Sequence, residues 1–250
     1  MSDEQPVRLH CFAHSLGGES LFEHWPASAG PGVEVVPVSL PGGNRRRSEP
    51  RVNTHEALLA DVLPRFTDPQ PGPYVLYGHG LGAMVALSVT RALHEAGLPG
   101  PALLAVGAHS PPQAHTGLPD VRGATDAELL HVLGGKGAVP PSSDEGILLR
   151  AMLPVLRAEL ELARALDEAA HRPSCAGPLT TALLVVASQD NPLAPPTVAD
   201  SWRRWTAGPA WTRTVPGRHF FAHGSRELPR LLGRACRVTR RLARQPVPVG

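Results

Sequence analysis

Lysine is almost absent from this chain of 250 residues. Of its 24 basic residues, Lys136 is the one lysine and the others are arginines. With 28 prolines, this bias is typical of a GC-rich bacterial genome and does not by itself indicate a binding surface. The formal net charge is only +2, so composition gives no reason to expect nucleic acid as a partner.

Cysteine is also scarce, with Cys11, Cys175 and Cys236 standing in no metal-binding or disulfide pattern. This usage predicts reduced thiols, no metal, no cofactor and a cytoplasmic protein. The first residues are acidic and are followed by a short apolar run, unlike a signal peptide. No apolar stretch approaches membrane-spanning length, so we expect no membrane association.

Short apolar strands alternate with amphipathic helices through most of the chain. This alternation predicts a single α/β domain over 1–250, with a mostly parallel sheet and helices on both faces. Asn53, with Glu56 three residues later, resembles a capping box at the start of a helix. The predicted strands are 7–12, 33–40, 74–77, 102–107, 179–188 and 211–215, and the predicted helices are 19–25, 53–66, 81–97 and 225–245.

The alternation is interrupted in the middle of the sequence. Helical patterns fall within 125–166, and no strand is predicted between 108 and 178. We therefore expect a helical insertion over the sheet, a lid at about 120–175.

The segment "YGHGLG" (77–82) has the layout of a nucleophile elbow, a tight turn between a strand and a helix. Gly78 and Gly82 flank the apex, where larger side chains would strike neighbouring backbone. The apex is Gly80, which tolerates the strained backbone but supplies no nucleophile. The earlier "AHSLGG" (13–18) also resembles an elbow, but its place after the first strand identifies it as the loop beside the elbow.

Two later loops complete a possible catalytic set. His219, in "PGRHFF", follows the last predicted strand, and Asp190 and Asn191 follow the strand before it. Nucleophile, acid and histidine in this chain order are typical of α/β-hydrolases.

These stretches resemble the type II thioesterases of polyketide and nonribosomal peptide synthesis. The markers are "CFAHSLGG", "LPGGNRRRSEP" (40–50), the elbow, "LPVLRAELELARAL" (153–166), "DNPL" and "PGRHFF". The resemblance implies an α/β-hydrolase fold with a helical lid. It implies substrates held as thioesters on the phosphopantetheine of an acyl or peptidyl carrier protein.

The sequence departs from that family at the site itself. Gly80 stands where the family has serine, and Asn191 stands where it has aspartate, with Asp190 one place earlier. The first loop is longer and carries Ser15, and His109 stands in a segment where the family often has arginines.

The resemblance suggests roles for the remaining residues. His219 would be the acid or base, oriented by Asp190 or Asn191. The N–H of Leu81 and one from the 14–18 loop would form an oxyanion hole. The further oxyanion or substrate-binding candidates are His14, Leu16, Gly17, His79 and His109.

Three hypotheses follow. The favoured one is non-hydrolytic acid/base chemistry on a carrier-bound thioester: isomerisation, elimination, cyclisation or decarboxylation. The second is a hydrolase in which Ser15 replaces the missing nucleophile or water attacks directly. The third is a non-catalytic protein that binds a carrier. An engineered change at Gly80 is disfavoured, because it would leave Asn191 unexplained.

Two groups of arginines, Arg45–Arg47 and the C-terminal helix, are candidate contacts for an acidic carrier protein. A solvated helix face explains the latter equally well.

Overall fold

The computed structural model describes residues 5–13, 18–68, 70–112, 123–126, 128–129, 145–191, 194–217 and 221–244. Six parallel strands form one sheet in the order β2-β1-β3-β4-β5-β6. They are β1 Val7–Phe12, β2 Val33–Pro37, β3 Tyr74–His79, β4 Leu103–Gly107, β5 Leu183–Ser188 and β6 Ala210–Val215. The chain moves outward from β1 to β2 and then returns to place β3 on the other side of β1. This reversal opens a crevice at the carboxyl ends of β1 and β3.

The helices cover both faces of the sheet, as the alternation predicted. They are α1 Trp25–Ala29, α2 His55–Val62, α3 Pro64–Thr67, α4 Leu81–Glu95, α5 Glu145–Ala170, α6 Pro196–Ala199 and α7 Glu227–Arg244. Helices α2, α4 and α5 pack on one face, and α1 and α7 pack on the other. Strands β3, β4 and β5 are buried along their whole length, as expected for central strands of a parallel sheet.

Several element boundaries differ from the sequence predictions. The helix predicted at 53–66 divides at Pro64, which has no N–H to donate to the preceding turn, although Leu63 keeps helical backbone angles. Its cap is Thr54, whose hydroxyl accepts from the N–H of Ala57 at 3.1 Å, so the capping box predicted at Asn53 is wrong. The predicted helix 19–25 is a 3-10 turn, Glu19–Phe22, followed by α1, which has a proline in its first turn.

The predicted insertion falls partly outside the described residues. Within 108–112, 123–126, 128–129 and 145–178 no strand occurs, and the long helix α5 packs against α2 and α4. In the described ranges, no helix is both long and apolar enough to cross a membrane.

Candidate active site

The turn between β3 and α4 is built around Gly80. Its backbone angles are φ 59° and ψ −128°, a region that side chains other than glycine rarely occupy. The N–H of Gly80 donates to the carbonyl of Gly107 at 2.9 Å, and the carbonyl of Gly80 accepts from Ala83 at 2.9 Å. The apex is therefore held by backbone contacts on both sides, independently of any side chain.

The flanking glycines are required by close backbone approach. A Cβ at Gly78 would lie 2.0 Å from the carbonyl oxygen of Gly82. A Cβ at Gly82 would lie 2.2 Å from the carbonyl oxygen of Phe12, the last residue of β1. These distances confirm the prediction that larger side chains at the two positions would strike neighbouring backbone. They also show that α4 begins directly against the end of β1.

This contact brings the loop after β1 to the elbow. The same Cβ position at Gly82 lies 3.0 Å from the nitrogen of Ala13, the first residue of that loop. His14, Ser15, Leu16 and Gly17 lie outside the described residues. The loop resumes at Gly18, which has a positive φ of 56° and precedes the 3-10 turn Glu19–Phe22.

Leu81 is the first residue of α4, so its N–H has no acceptor within the helix. The residue is half-buried and lines a small cavity of ≈ 20 Å³. Ala158 and Leu162 of α5 line the same cavity. Helix α5 therefore lies next to the start of α4.

Asp190 and Asn191 occupy different environments after β5. Asp190 is exposed, whereas Asn191 is only 2% exposed. The N–H of Asp190 donates to the carbonyl of Gly217 at 3.0 Å, and the hydroxyl of Ser188 also bonds that carbonyl. Gly217 follows β6 and precedes His219 by two positions, although His219 itself lies outside the described residues. The acid loop is thus tied to the segment that leads to His219.

His79 is fully buried below the elbow. Its Nδ1 lies 2.9 Å from the hydroxyl of Tyr77, and its ring meets that of Phe221 edge-on at a centroid distance of 4.9 Å. Phe221 follows His219 by two positions. Gly107 leaves room for this cluster, since a Cβ there would lie 2.9 Å from the Tyr77 hydroxyl. Sequence reasoning missed Tyr77, although its spacing of two from His79 places both side chains on one face of β3.

His109 follows β4 and is half-buried. Its Nδ1 lies 2.6 Å from the carbonyl of Ser110, and its own carbonyl accepts from Nε1 of Trp202 at 2.9 Å. Burial lowers the pKa of His109, partly offset by the Ser110 carbonyl and by Asp167 in α5. The preceding residue, Ala108, has a φ of 57° and is the one described non-glycine residue with positive φ. Sequence reasoning also missed this strained alanine.

Two of the three arginines of the 40–50 segment form ion pairs within the molecule. Both terminal nitrogens of Arg46 lie 2.7 Å from oxygens of Asp61, and its Nε lies 2.6 Å from Glu49. Nε of Arg45 lies 2.8 Å from the carboxylate of Glu19. The sequence makes Arg45–Arg47 candidate contacts for a carrier protein, and this stays a prediction. Two of the three, Arg45 and Arg46, already pair with carboxylates of the molecule itself.

The parallel sheet, the strand-turn-helix apex and the loops at the carboxyl ends of β1, β5 and β6 define an α/β-hydrolase. A model of the thioesterase domain matches residues 7–236, so the chain belongs to the thioesterase family.

Two relatives and one solved structure are similar to this chain over most of its length. The chain is 33% identical over 219 residues to the thioesterase PikA5 of Streptomyces venezuelae, covering 86% of this chain and 75% of that protein. A probable cadicidin biosynthesis thioesterase of Streptomyces griseus is 31% identical, with 88% of this chain and 59% of that protein covered. The solved structure of RedJ, a thioesterase from the prodiginine pathway of Streptomyces coelicolor, superposes with a TM-score of 0.78 at 31% identity, covering 93% of this chain and 85% of that one.

Proposed function

We propose that this protein is a type II thioesterase homologue that changes carrier-bound acyl thioesters without forming an acyl-enzyme. The observation that carries the proposal is Gly80, which has the backbone of an elbow apex and no side chain. An acyl-enzyme requires a hydroxyl or thiol at that point. Scaffolds that lose their nucleophile retain only a residual acceleration, about 10³–10⁴-fold over water.

The remaining groups suit proton transfer next to a thioester carbonyl. The N–H of Leu81, together with one from the 14–18 loop, would stabilise the negative oxygen of an enolate as well as that of a tetrahedral intermediate. His219 has no serine to deprotonate and would act as acid or base on the substrate. The reaction would be an isomerisation, elimination, cyclisation or decarboxylation, with the acyl group still on its carrier.

Of the two residues considered for orienting His219, Asn191 has the stronger support because it is buried, whereas Asp190 faces solvent. A neutral amide would hold the imidazole without stabilising its protonated form as a carboxylate does. His219 would therefore be held in place for proton transfer by an uncharged partner. The residues at about 120–175, including α5, would form the lid over the acyl chain.

The test is to incubate the protein with the acyl-carrier intermediates of its pathway and to measure the mass of the carrier. Loss of water or carbon dioxide, or rearrangement at constant mass, supports the proposal. Loss of the whole acyl group would instead favour hydrolysis through Ser15 or water, and a Ser15→Ala variant separates these two. Recovery of every intermediate unchanged would favour a non-catalytic binding protein. Under this proposal the substrates are the carrier-bound intermediates of a synthase. The protein would then work beside that synthase in the cytoplasm.

A further inference from the structure

The C-terminal helix α7 carries a continuous arginine face. Five of its six arginines recur at intervals of four, three, four and three residues, at Arg230, Arg234, Arg237, Arg241 and Arg244, and the sixth is Arg240. At about 100° per residue this spacing confines them to an arc of about 80°, over about 21 Å of helix. We refer to these five residues as the arginine face. Glu227, in the first turn, is the helix's one acidic residue.

The opposite side of α7 fixes the direction of this face. Leu228, Leu232 and Cys236 are fully buried against α1 and the sheet. The helices approach so closely that a Cβ at Gly233 would lie 1.9 Å from the carbonyl oxygen of Ala29. The arginine face is therefore turned outward at Arg230, Arg234, Arg241 and Arg244, which are exposed, whereas Arg237 is partly buried and donates to the carbonyl of Ala29 at 2.9 Å.

Eight other arginines in the described ranges form ion pairs within the molecule. The pairs are Arg8–Glu34, Arg45–Glu19, Arg46–Asp61, Arg91–Glu95, Arg157–Asp126, Arg164–Glu168, Arg172–Glu56 and Arg203–Asp200. By contrast, no described carboxylate lies within ion-pair distance of Arg230, Arg234 or Arg241. Uncompensated charge on one helix face attracts a partner of opposite charge.

Exposed apolar side chains adjoin the arginine face. Three large apolar residues are exposed in the described part of the chain, and two of them, Val238 at 50% and Leu242 at 58%, lie on α7. Arginines beside exposed apolar groups are typical of protein interfaces. The apolar face of α7 is already buried, so the helix has no broad apolar side to insert into a membrane. With a net charge of only +2, nucleic acid is also a poor match.

The amino-terminal end of the arginine face follows the segment that carries His219 closely along the chain. Arg226 and Arg230 line a groove of ≈ 720 Å³ that also contains His24 and His223. His24 lies shortly after the loop that follows β1, and His223 lies four positions after His219. A protein lying along α7 would therefore have one end next to the loops of the site.

We propose that the arginine face and this groove form the docking surface for the acidic carrier protein that delivers the substrate. This inference rests on the proposed function, because that function supplies the partner. An acidic helix of the carrier would lie along α7, contacting Arg234 and Arg241. The phosphodiester of its phosphopantetheine would lie near Arg226 and Arg230, with the arm directed towards the elbow.

The test measures binding rather than catalysis, so that the two proposals can fail separately. The probe is the apo form of the carrier protein that presents the pathway intermediate. Its dissociation constant is measured for wild type and for an Arg234→Glu/Arg241→Glu variant. The control is Arg213→Glu, an exposed β6 arginine whose one hydrogen bond to the described residues is to the carbonyl of Thr212.

We expect the double variant to weaken binding at least about tenfold and to flatten its dependence on salt, because like charges then face each other. The control should bind like wild type, and melting temperatures should show that all three proteins fold. Equal affinity of wild type and the double variant would overturn the docking surface while leaving the proposed function standing. Tighter, variant-sensitive binding to single-stranded RNA or to anionic phospholipid vesicles would also overturn it. Absence of carrier binding by wild type would overturn the docking surface, whereas the proposed function is decided separately by the mass of the acyl carrier.

Discussion

The backbone N–H of Gly80 donates to the carbonyl of Gly107 at 2.9 Å, joining the turn apex to the end of the neighbouring strand. The positive φ of Gly80 is thus maintained by the sheet and would be imposed on any residue placed there. This makes the apex a site where a nucleophile can be tested by substitution.

Gly80→Ser should create thioester hydrolysis, with a rate at least about tenfold above wild type, because the apex then offers a hydroxyl near the oxyanion donors. The gain should be limited, since loss of the triad carboxylate alone costs about 10⁴-fold in a serine protease. Release of thiol from an acyl thioester measures the effect. Gly80→Ala is the matched control, and hydrolysis by that variant would contradict the reason given.

Both substitutions should also destabilise the protein. A side chain at φ 59° is strained, at a cost of about 1–3 kcal/mol in the free energy of unfolding. Urea unfolding should give similar losses for Gly80→Ser and Gly80→Ala. Full stability of both variants would show that the apex backbone relaxes when a Cβ is present.

The buried position of Asn191 leads to a prediction for the pH profile. If Asn191 orients His219, Asn191→Asp places a carboxylate beside the imidazole and raises the pKa of His219. Activity that needs neutral His219 should then begin at a higher pH than in wild type. Asp190→Asn, at the exposed neighbouring position, should leave the profile nearly unchanged. A larger shift in Asp190→Asn than in Asn191→Asp would assign the role to Asp190.

His10 makes stability depend on pH. It is 8% exposed, between the rings of Phe66 and Tyr74, and burial together with Arg8 and Arg65 lowers its pKa to about 4. Because the unfolded chain binds the proton more readily, stability is full above about pH 6.5 and falls as the pH drops towards 4. The loss attributable to His10 should approach about 3 kcal/mol, and His55 and His109, whose pKa values are also lowered, act in the same direction.

Urea unfolding at pH 7.5 and pH 5 measures this effect. His10→Phe should reduce the difference between the two pH values, whereas His24→Gln, at an exposed position, should not. An undiminished pH dependence in His10→Phe would remove His10 as its main source.

Ala108 tests strain beside the site. An alanine in the left-handed region costs about 1–2 kcal/mol, which glycine avoids. Ala108→Gly should therefore lose about 1–2 kcal/mol less stability than Ala105→Gly, which deletes a buried methyl group from β4 without positive φ. Equal losses in thermal or urea unfolding would show that position 108 is not strained.

The sequence was sufficient for the features that depend on local pattern. Buried apolar runs predicted the parallel sheet, and the glycine spacing at Gly78 and Gly82 predicted the tight turn. Features that depend on contacts between distant segments were less accessible. Asn53 and Thr54 are both good helix caps, and only the bond to Ala57 decides between them. Likewise, only tertiary packing shows that Asn191 is buried beside an exposed Asp190 and that Asp61 holds Arg46.

The central claim is proton transfer on an intact thioester, which deuterium exchange measures directly. The acyl-carrier intermediate is incubated with wild type and with His219→Gln in heavy water, and the carrier is analysed by mass. We predict deuterium next to the thioester carbonyl, an acyl group that stays on the carrier, and loss of exchange in His219→Gln. Release of the free acid by wild type, with no deuterium in the remaining thioester, would contradict the account.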